Sequence, residues 1–294
     1  MASTRRARIL RHLNALIGER HHETSAPTLL KAAGYLQAEW NRCGWTTKRE
    51  SVRVDGHAVP NVLAARHPPG RNLDRRLAPL LVGAHYDTVA GSPGADDNAS
   101  GLVVLLEVAE RLKDIALSRP VWLVAFCFEE QGLHGSVAFA ARLKAERRSL
   151  TGAIILECVG YASDEQGSQH TPAALPIPVP KTGNFLGLVG NEASSAFLAS
   201  VGRCMRQSAP SLPLVPLTIP GKGEALPDVR RSDHAALWDH GFPAVMLTDT
   251  ANFRNPHYHR PTDELDTLNL DFLEQVIDAV TGTVGLLVGQ GLHE

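Results

Sequence analysis

Short apolar runs that end in an acid or an imidazole recur along this chain, and helical periodicities fill the intervals between them. Leu80-Leu81-Val82-Gly83-Ala84 leads into His85, Val121 to Phe128 into Glu129-Glu130, and Ile154-Ile155-Leu156 into Glu157. Runs this short and uniformly apolar read as strands buried on both faces. Between them, Gly101 to Leu112 places Leu102, Leu105, Leu106, Ala109 and Leu112 on one helical face. Val137 to Leu143 and Ala196 to Met205 read as further helices. This alternation predicts an α/β fold: a mostly parallel, mixed central sheet with helices on both faces. In such sheets ligands gather outside the carboxyl ends of the strands, which is where His85, Glu129, Glu130 and Glu157 fall.

The remaining segments extend the pattern. Ile9, Leu13, Leu16 and Ile17 recur at helical spacing, so the basic N-terminus reads as an amphipathic first helix rather than an export signal. Leu29, Ala33, Leu36 and Trp40 make one face of a second helix, with Gly44 placed to end it. Residues 51–66 read as two extended segments around the turn Asp55-Gly56. Phe185 to Val189 and Ala244 to Leu247 are further strands, and Leu273, Val276, Ile277, Val280, Val284 and Leu287 face inward from a last helix. Ser163 to Lys181, with Pro172, Pro176, Pro178 and Pro180, is a long loop of functional type. The ionisable residues of interest lie on both sides of it, so it is not a linker, and residues 1–294 are expected to form one domain.

Several functions are disfavoured. A formal charge of −2 gives no global field for nucleic acid or an anionic membrane. No apolar stretch approaches the ~20 residues that span a bilayer. Cys43, Cys127, Cys158 and Cys204 form no C-x-x-C pair, which argues against a thiolate metal site. Cys127 and Cys158 read as small buried hydrophobes, with a bridge between them left open. A cytoplasmic location is expected.

The polar residues at the run ends carry the chemistry. His85 and Asp87 are two apart and point the same way on an extended chain. Asp87 is therefore suited to orient His85. In Pro93-Gly94-Ala95-Asp96-Asp97-Asn98-Ala99-Ser100-Gly101, N-capping explains one of the three polar residues but not all of them. A carboxylate held there could bridge two cations. Adjacent Glu129 and Glu130 cannot share a direction on a strand, so one is placed for metal and the other for a water proton. Glu157 interrupts an apolar run, and His259 stands in the polar loop Tyr258-His259-Arg260-Pro261-Thr262-Asp263. Each alone has an ordinary reading as a solvated or capping residue. Together they do not, because ionised carboxylates in apolar surroundings are costly unless paired or metal-bound.

These segments give the chain its likeness. Ala84 to Asp87, Pro93 to Gly101, Phe128 to Ser136, Leu156 to Tyr161, Ser232-Asp233-His234 and Tyr258-His259 with Asp263 resemble the M28 family of zinc exopeptidases. The resemblance implies two zinc ions per chain and a peptide substrate cleaved at its N-terminus. It implies that His85 and Glu130 each bind one zinc, that Asp97 bridges them, and that Glu157 and His259 complete the shell. By the same resemblance Glu129 is the general base, Asp87 supports His85, and the Asp97–Asn98 peptide bond is cis.

Two departures from the family pattern stand out. Many members have Asp where this chain has Glu157, and Glu also occurs in the related glutaminyl cyclases, which use one zinc for acyl transfer. Some members carry a tyrosine before the Ser-Asp-His segment to stabilise the tetrahedral intermediate, whereas this chain reads Asp228-Val229-Arg230-Arg231. Arg230, Arg231 and Tyr258 are the candidates for that task. A mono-zinc cyclase-like acyltransferase is thus the alternative, and a non-catalytic binding module the third reading. Ser232-Asp233-His234 is no serine triad, since consecutive residues cannot converge as one requires. Asp233 is expected to support the site or cap the helix Ala235 to Asp239. The substrate side chain would meet loops Gly160 to Asn184 and Asp249 to Pro256.

Overall fold

The computed structural model describes residues 2–69, 77–172, 175 and 178–289; Pro176 lies outside them. Strands β1 (Thr46–Val54) and β2 (His57–Arg66) form the expected hairpin, with β1 starting ahead of residue 51. Its two-residue turn puts Asp55 and Gly56 at φ 47° and 84°, the left-handed pair that matches strand twist. Six more strands follow: β3 (Leu80–His85), β4 (Val121–Phe126), β5 (Gly152–Glu157), β6 (Leu186–Asn191), β7 (Leu214–Ile219) and β8 (Ala244–Thr248). Among the described residues they form one sheet, ordered β1-β2-β4-β3-β5-β8-β6-β7. The central β4, β3, β5 and β8 are parallel, β2 and β6 run antiparallel to this block, and β7 is parallel to β6. The carboxyl ends of β3, β4, β5 and β8 therefore share one edge of the molecule.

Side-chain alternation divides the core in two. Leu80, Val82, Ala84, Leu123, Ala125, Ile154, Leu156, Val245 and Leu247 face one side. That side is covered by α1 (Ala2–Leu16), α2 (Ala26–Arg42), α3 (Gly101–Leu112), α5 (Ser195–Ser208) and α7 (Leu270–Val288). Leu81, Val124, Phe126, Ala153, Ile155, Ala244 and Met246 face the other, under α4 (His134–Ala145) and α6 (His234–Asp239). This is the period of two that a strand buried on both faces requires. Gly83 belongs to the second row, and a Cβ there would lie 2.7 Å from Phe126 Cε2 and 3.0 Å from Ile155 Cδ1.

Three details differ from the sequence reading. β4 stops at Phe126, not Phe128, because Phe128 turns to φ 55° and carries the chain out of the sheet. β7 was not anticipated. Pro216 sits within it and cannot donate to a ladder, so it reads as non-strand; the edge position tolerates it. All four cysteines are free, so Cys127 and Cys158 are not bridged. Cys127 instead points its thiol at Val59 O and Asn61 Oδ1, each at 3.3 Å. No helix among the described residues is long and apolar enough to cross a membrane.

His12 on α1 gives the fold a pH dependence. It is 2% exposed, with Nδ1 2.8 Å from the Tyr35 hydroxyl. Burial, then the charge of Arg11, pushes its pKa from 6.5 down to about 4. The unfolded chain therefore binds an extra proton between those values, and stability falls as the pH drops from 6.5 toward 4. At about 1.36 kcal/mol per pH unit this one group removes at most about 3 kcal/mol. Urea denaturation at pH 7 and pH 4.5 should show a smaller loss for His12→Gln than for the native chain; equal losses would count against this assignment.

Candidate metal centre

Strand parity brings the first two ionisable groups together. His85 continues the row of Leu81 and Gly83, and Glu157 that of Ala153 and Ile155. Gly83 pairs with Ile155, so one more step of the same register sets His85 beside Glu157. His85 Nε2 lies 3.4 Å from Glu157 Oε2, and that oxygen accepts a 2.7 Å hydrogen bond from Ser232 Oγ.

The turn before α3 supplies the shared acid. Gly94 is at φ 63°, and a Cβ there would meet Asp97 O at 2.3 Å, so only glycine fits. The Asp97–Asn98 peptide bond is cis. Asp263 accepts from the amides of Asp96 and Asp97 at 2.9 and 3.1 Å. Asp96 accepts from Gly160 N and Asn255 Nδ2, both at 2.8 Å. Asn98 donates to Leu156 O at 2.8 Å and accepts from Gly101 N at 3.2 Å in the manner of a cap. Asp97 is the member of the cluster left facing the cleft: Oδ1 lies 3.1 Å from His85 Nε2 and Oδ2 3.0 Å from His259 Nε2.

Beyond β4, the loop through Phe128 separates the two glutamates. Glu130 Oε2 is 3.2 Å from His259 Nε2, while Glu129 stays near His85. Asp87 departs from expectation. Its carboxylate is 3.8 Å from His85 Nδ1, and the 3.2 Å contact to that nitrogen is made by the Asp87 main-chain oxygen. The carboxylate is occupied elsewhere, accepting from the amides of Glu129 and Glu130 at 3.2 Å each. It holds the glutamate loop as well as facing the imidazole.

His85, Asp97 and Glu157 thus form one three-donor group, Asp97, Glu130 and His259 a second that shares Asp97 with it, and His85, Glu129 and Glu130 a further one. Burial raises Glu130 to about 7, helped by the charge of Asp97. It also raises Glu129 well above the carboxylate range, with Glu157 and Glu130 adding to the shift against His85. Burial pulls His259 down, yet its contacts to Asp97 and Glu130 prevail and hold it at about 10. His85 Nε2, both Asp97 oxygens and Glu130 Oε1 are buried with no hydrogen-bond partner among the described residues. Such orphans call for a ligand. Zinc bonds of 2.0–2.1 Å in a tetrahedron separate donors by about 3.3 Å, and the separations here run from 3.0 to 3.4 Å. Imidazole and carboxylate donors without thiolate suit zinc. The residues fit the metal.

The surroundings sort the other candidates. Arg230 turns away to Asp239 Oδ2 at 2.8 Å. Arg231 Nη2 donates to the Tyr258 hydroxyl at 3.0 Å, and the Tyr258 ring stacks on His259 at 3.8 Å. Asp233 does not cap α6 through its side chain; it is fully buried beside the cluster, its pKa raised to about 7 chiefly by burial. Beside Glu157 opens a cavity lined by Phe185, Val189, Val215, Leu217, Met246 and Phe253. Both loops expected to meet the side chain contribute to it, through Gln169, His170, Pro172 and Leu175 and through Thr250 to Phe253.

Sequence reasoning passed over Asp249, Ser232 and Arg20. Asp249 is held well above the carboxylate range by burial and by Asp96, to which it hydrogen-bonds. It ends the apolar run of β8 and carries the same signature as His85 and Glu157. Ser232 and Arg20 gave no such signal. Arg20 is fully buried and donates to Tyr86 O at 2.8 Å, Gly18 O at 2.7 Å, and Pro93 O and Gly94 O at 3.0 Å each.

Known proteins share this arrangement to different degrees. A family model described as peptidase family M28 matches residues 61–284. The Escherichia coli protein YfbL is 33% identical over 266 residues, covering 86% of this chain and 78% of YfbL. The structure of BSAP, a zinc aminopeptidase from Bacillus subtilis, superposes with a TM-score of 0.62 at 26% identity. That match covers 82% of this chain but only 52% of BSAP, so the chain spans about half of that enzyme. Porphyromonas gingivalis glutaminyl cyclase gives a TM-score of 0.69 at 17% identity, over 95% of each chain, a likeness of fold alone.

Removing the Asp263 carboxylate leaves two buried amides unpaired beside Asp97. Asp263→Ala should weaken zinc about 10–100-fold in competition with a chromophoric chelator. It should also lower stability by about 2–4 kcal/mol, and Asp263→Asn should restore part of both. Native zinc affinity in the alanine variant would refute the positioning role.

Proposed function

The chain belongs to peptidase family M28, and on that premise we propose that it is an aminopeptidase using two zinc ions per chain. The observation that carries this reading is the pair of donor groups sharing Asp97. His85, Asp97 and Glu157 would hold one ion, and Asp97, Glu130 and His259 the other. When bound, the zinc ions supply an acidified water and polarise the scissile carbonyl.

Glu129, buried beside His85 and Glu157, accepts the proton of the attacking water and returns it to the leaving amine. Tyr258, fixed by Arg231 and by stacking on His259, donates its hydroxyl proton to the carbonyl oxygen as charge develops there. Tyr258 would thus serve in the role of the tyrosine that this chain lacks before Ser232. Excess carboxylate around the cleft receives the substrate's free α-ammonium. The apolar cavity beside Glu157 takes the side chain of the first residue, and its lining selects large aliphatic or aromatic groups. A single-zinc cyclase would leave one of the two donor groups without employment, and a mere binding module would leave Glu129 so. The four free cysteines fit a reducing, cytoplasmic setting. The partner is a peptide, and residues 1–294 act as one domain.

Glu129→Gln should lose about 10²–10⁴-fold in kcat on a leucyl anilide while retaining its zinc. Tyr258→Phe should lose about 10²–10³-fold with KM little changed. Full activity in either variant rejects the role assigned to that residue. Chelation should abolish turnover and added zinc restore it. A peptide beginning with Gln should release free glutamine; release of ammonia with a cyclised product would favour the acyltransferase. Filling the cavity with Met246→Phe should cut kcat/KM for the leucyl substrate about tenfold while sparing an alanyl one.

A further inference from the structure

A second group of metal-ligating side chains lies outside the centre described above. His22 and Glu23 stand in the turn before α2, and His57 opens β2. His22 Nε2 and His57 Nε2 each lie 3.9 Å from the same oxygen, Glu23 Oε1. The two imidazole rings meet edge to face at 5.0 Å. We propose that His22, Glu23 and His57 form a further zinc-type cation site, separate from the paired centre and assembled from the N-terminal segment and the hairpin.

The ordinary reading of a buried histidine is a ring fixed by hydrogen bonds. His12 fits it through Tyr35, and so does His21, whose Nδ1 accepts from the amides of Glu23 and Thr24 at 3.3 and 3.4 Å. His22 does not. It is 8% exposed, and its Nδ1 is buried with no hydrogen-bond partner among the described residues. Burial and the neighbouring rings keep it neutral, the form that binds metal.

Two imidazoles and one carboxylate make a donor set that zinc uses with an open fourth position. The turn holding them is rigid. Ser25 N donates to His21 O at 3.0 Å and His21 N to Ser25 Oγ at 2.7 Å, while Arg20, the residue before His21, donates through its main-chain N to Thr88 Oγ1 at 2.9 Å and through Nε to Tyr86 O at 2.8 Å. The His–Glu separations of 3.9 Å, and all ligand atoms within 4.8 Å of one another, exceed the about 3.3 Å of a tetrahedral zinc, and Glu23 and His57, 61% and 39% exposed, are the side chains with room to move inward. The His22 ring also packs at 5.2 Å on Phe128, the residue before Glu129. An ion here would clamp the N-terminal turn to the hairpin directly behind the glutamate loop.

Zinc titration of the zinc-loaded, desalted full chain tests this by calorimetry. The native protein should take up one further equivalent, and His57→Ala none. The readout is a difference of one equivalent, so it does not depend on how many ions the catalytic centre holds. No further uptake by the native chain, or equal uptake by His57→Ala, overturns the site. A measurement free of any variant accompanies it: added zinc should slow carbethoxylation of His57 at least tenfold, followed by peptide mass spectrometry. An unchanged rate at saturating zinc also overturns it.

Discussion

Mutual repulsion among buried carboxylates is the term that the rest of this structure must offset. Asp87, Asp96, Asp97, Glu129, Glu157, Asp233, Asp249 and Asp263 are all buried near the ends of the parallel strands. An unpaired charge in such surroundings is strongly destabilising. The chain meets the cost in layers. Outer members spend their charge on backbone amides: Asp263 on Asp96 and Asp97, Asp87 on Glu129 and Glu130, Asp96 on Gly160. Burial, and then the charge of Asp96, raises the pKa of Asp249. Arg20 and Arg254 add buried positive charge from two sides. The rest of the charge is concentrated on Asp97, Glu129, Glu130 and Glu157, where His85 and His259 are the facing side chains.

The backbone is shaped to the same end. Phe128 after β4, Cys158 after β5, Thr250 and Ala251 after β8, and His259 all have positive φ although none is glycine. Each such residue costs of the order of 1–3 kcal/mol and persists only where its surroundings over-determine it. They cluster where the chain leaves the shared strand edge. The reversal after β5 is held by Asp249 N donating to Cys158 O at 2.7 Å, and that after β8 by Ala251 N donating to Asp249 at 2.9 Å. Strain is accepted where side chains must converge, and the flanking strands supply the rigidity that retains it.

Much of this was legible in the sequence. The apolar runs announced the parallel strands, and the polar residue at each end marked the shared edge. His85 and Glu157 were readable because ionisable residues recur at the ends of several apolar runs, a coincidence that the ordinary reading of each one alone does not cover. Which of Asp96 and Asp97 faces the cleft was not readable from spacing; the likeness to a family supplied it, and the contacts of Asp96 give the physical reason. The two-residue offset placed Asp87 beside His85, but it did not show that the nearer contact to the ring is the Asp87 main-chain oxygen. Arg20 was invisible, since its partner lies 66 residues away, and although Ser232 stood in a family-like segment, its bond to Glu157, 75 residues away, was not readable. β7 was hidden by Pro216, which only an edge can hold.

The two donor groups draw on positions from 85 to 259, and one of them closes only through His259. Ribosomes deliver chains from the N-terminus. Any nascent or truncated product ending before that histidine carries a sheet, a base and most of the ligands, but not a complete pair of ion sites. The pair of donor groups can therefore assemble only after the chain has been made through His259 and its loop has folded back against Asp97 and Glu130.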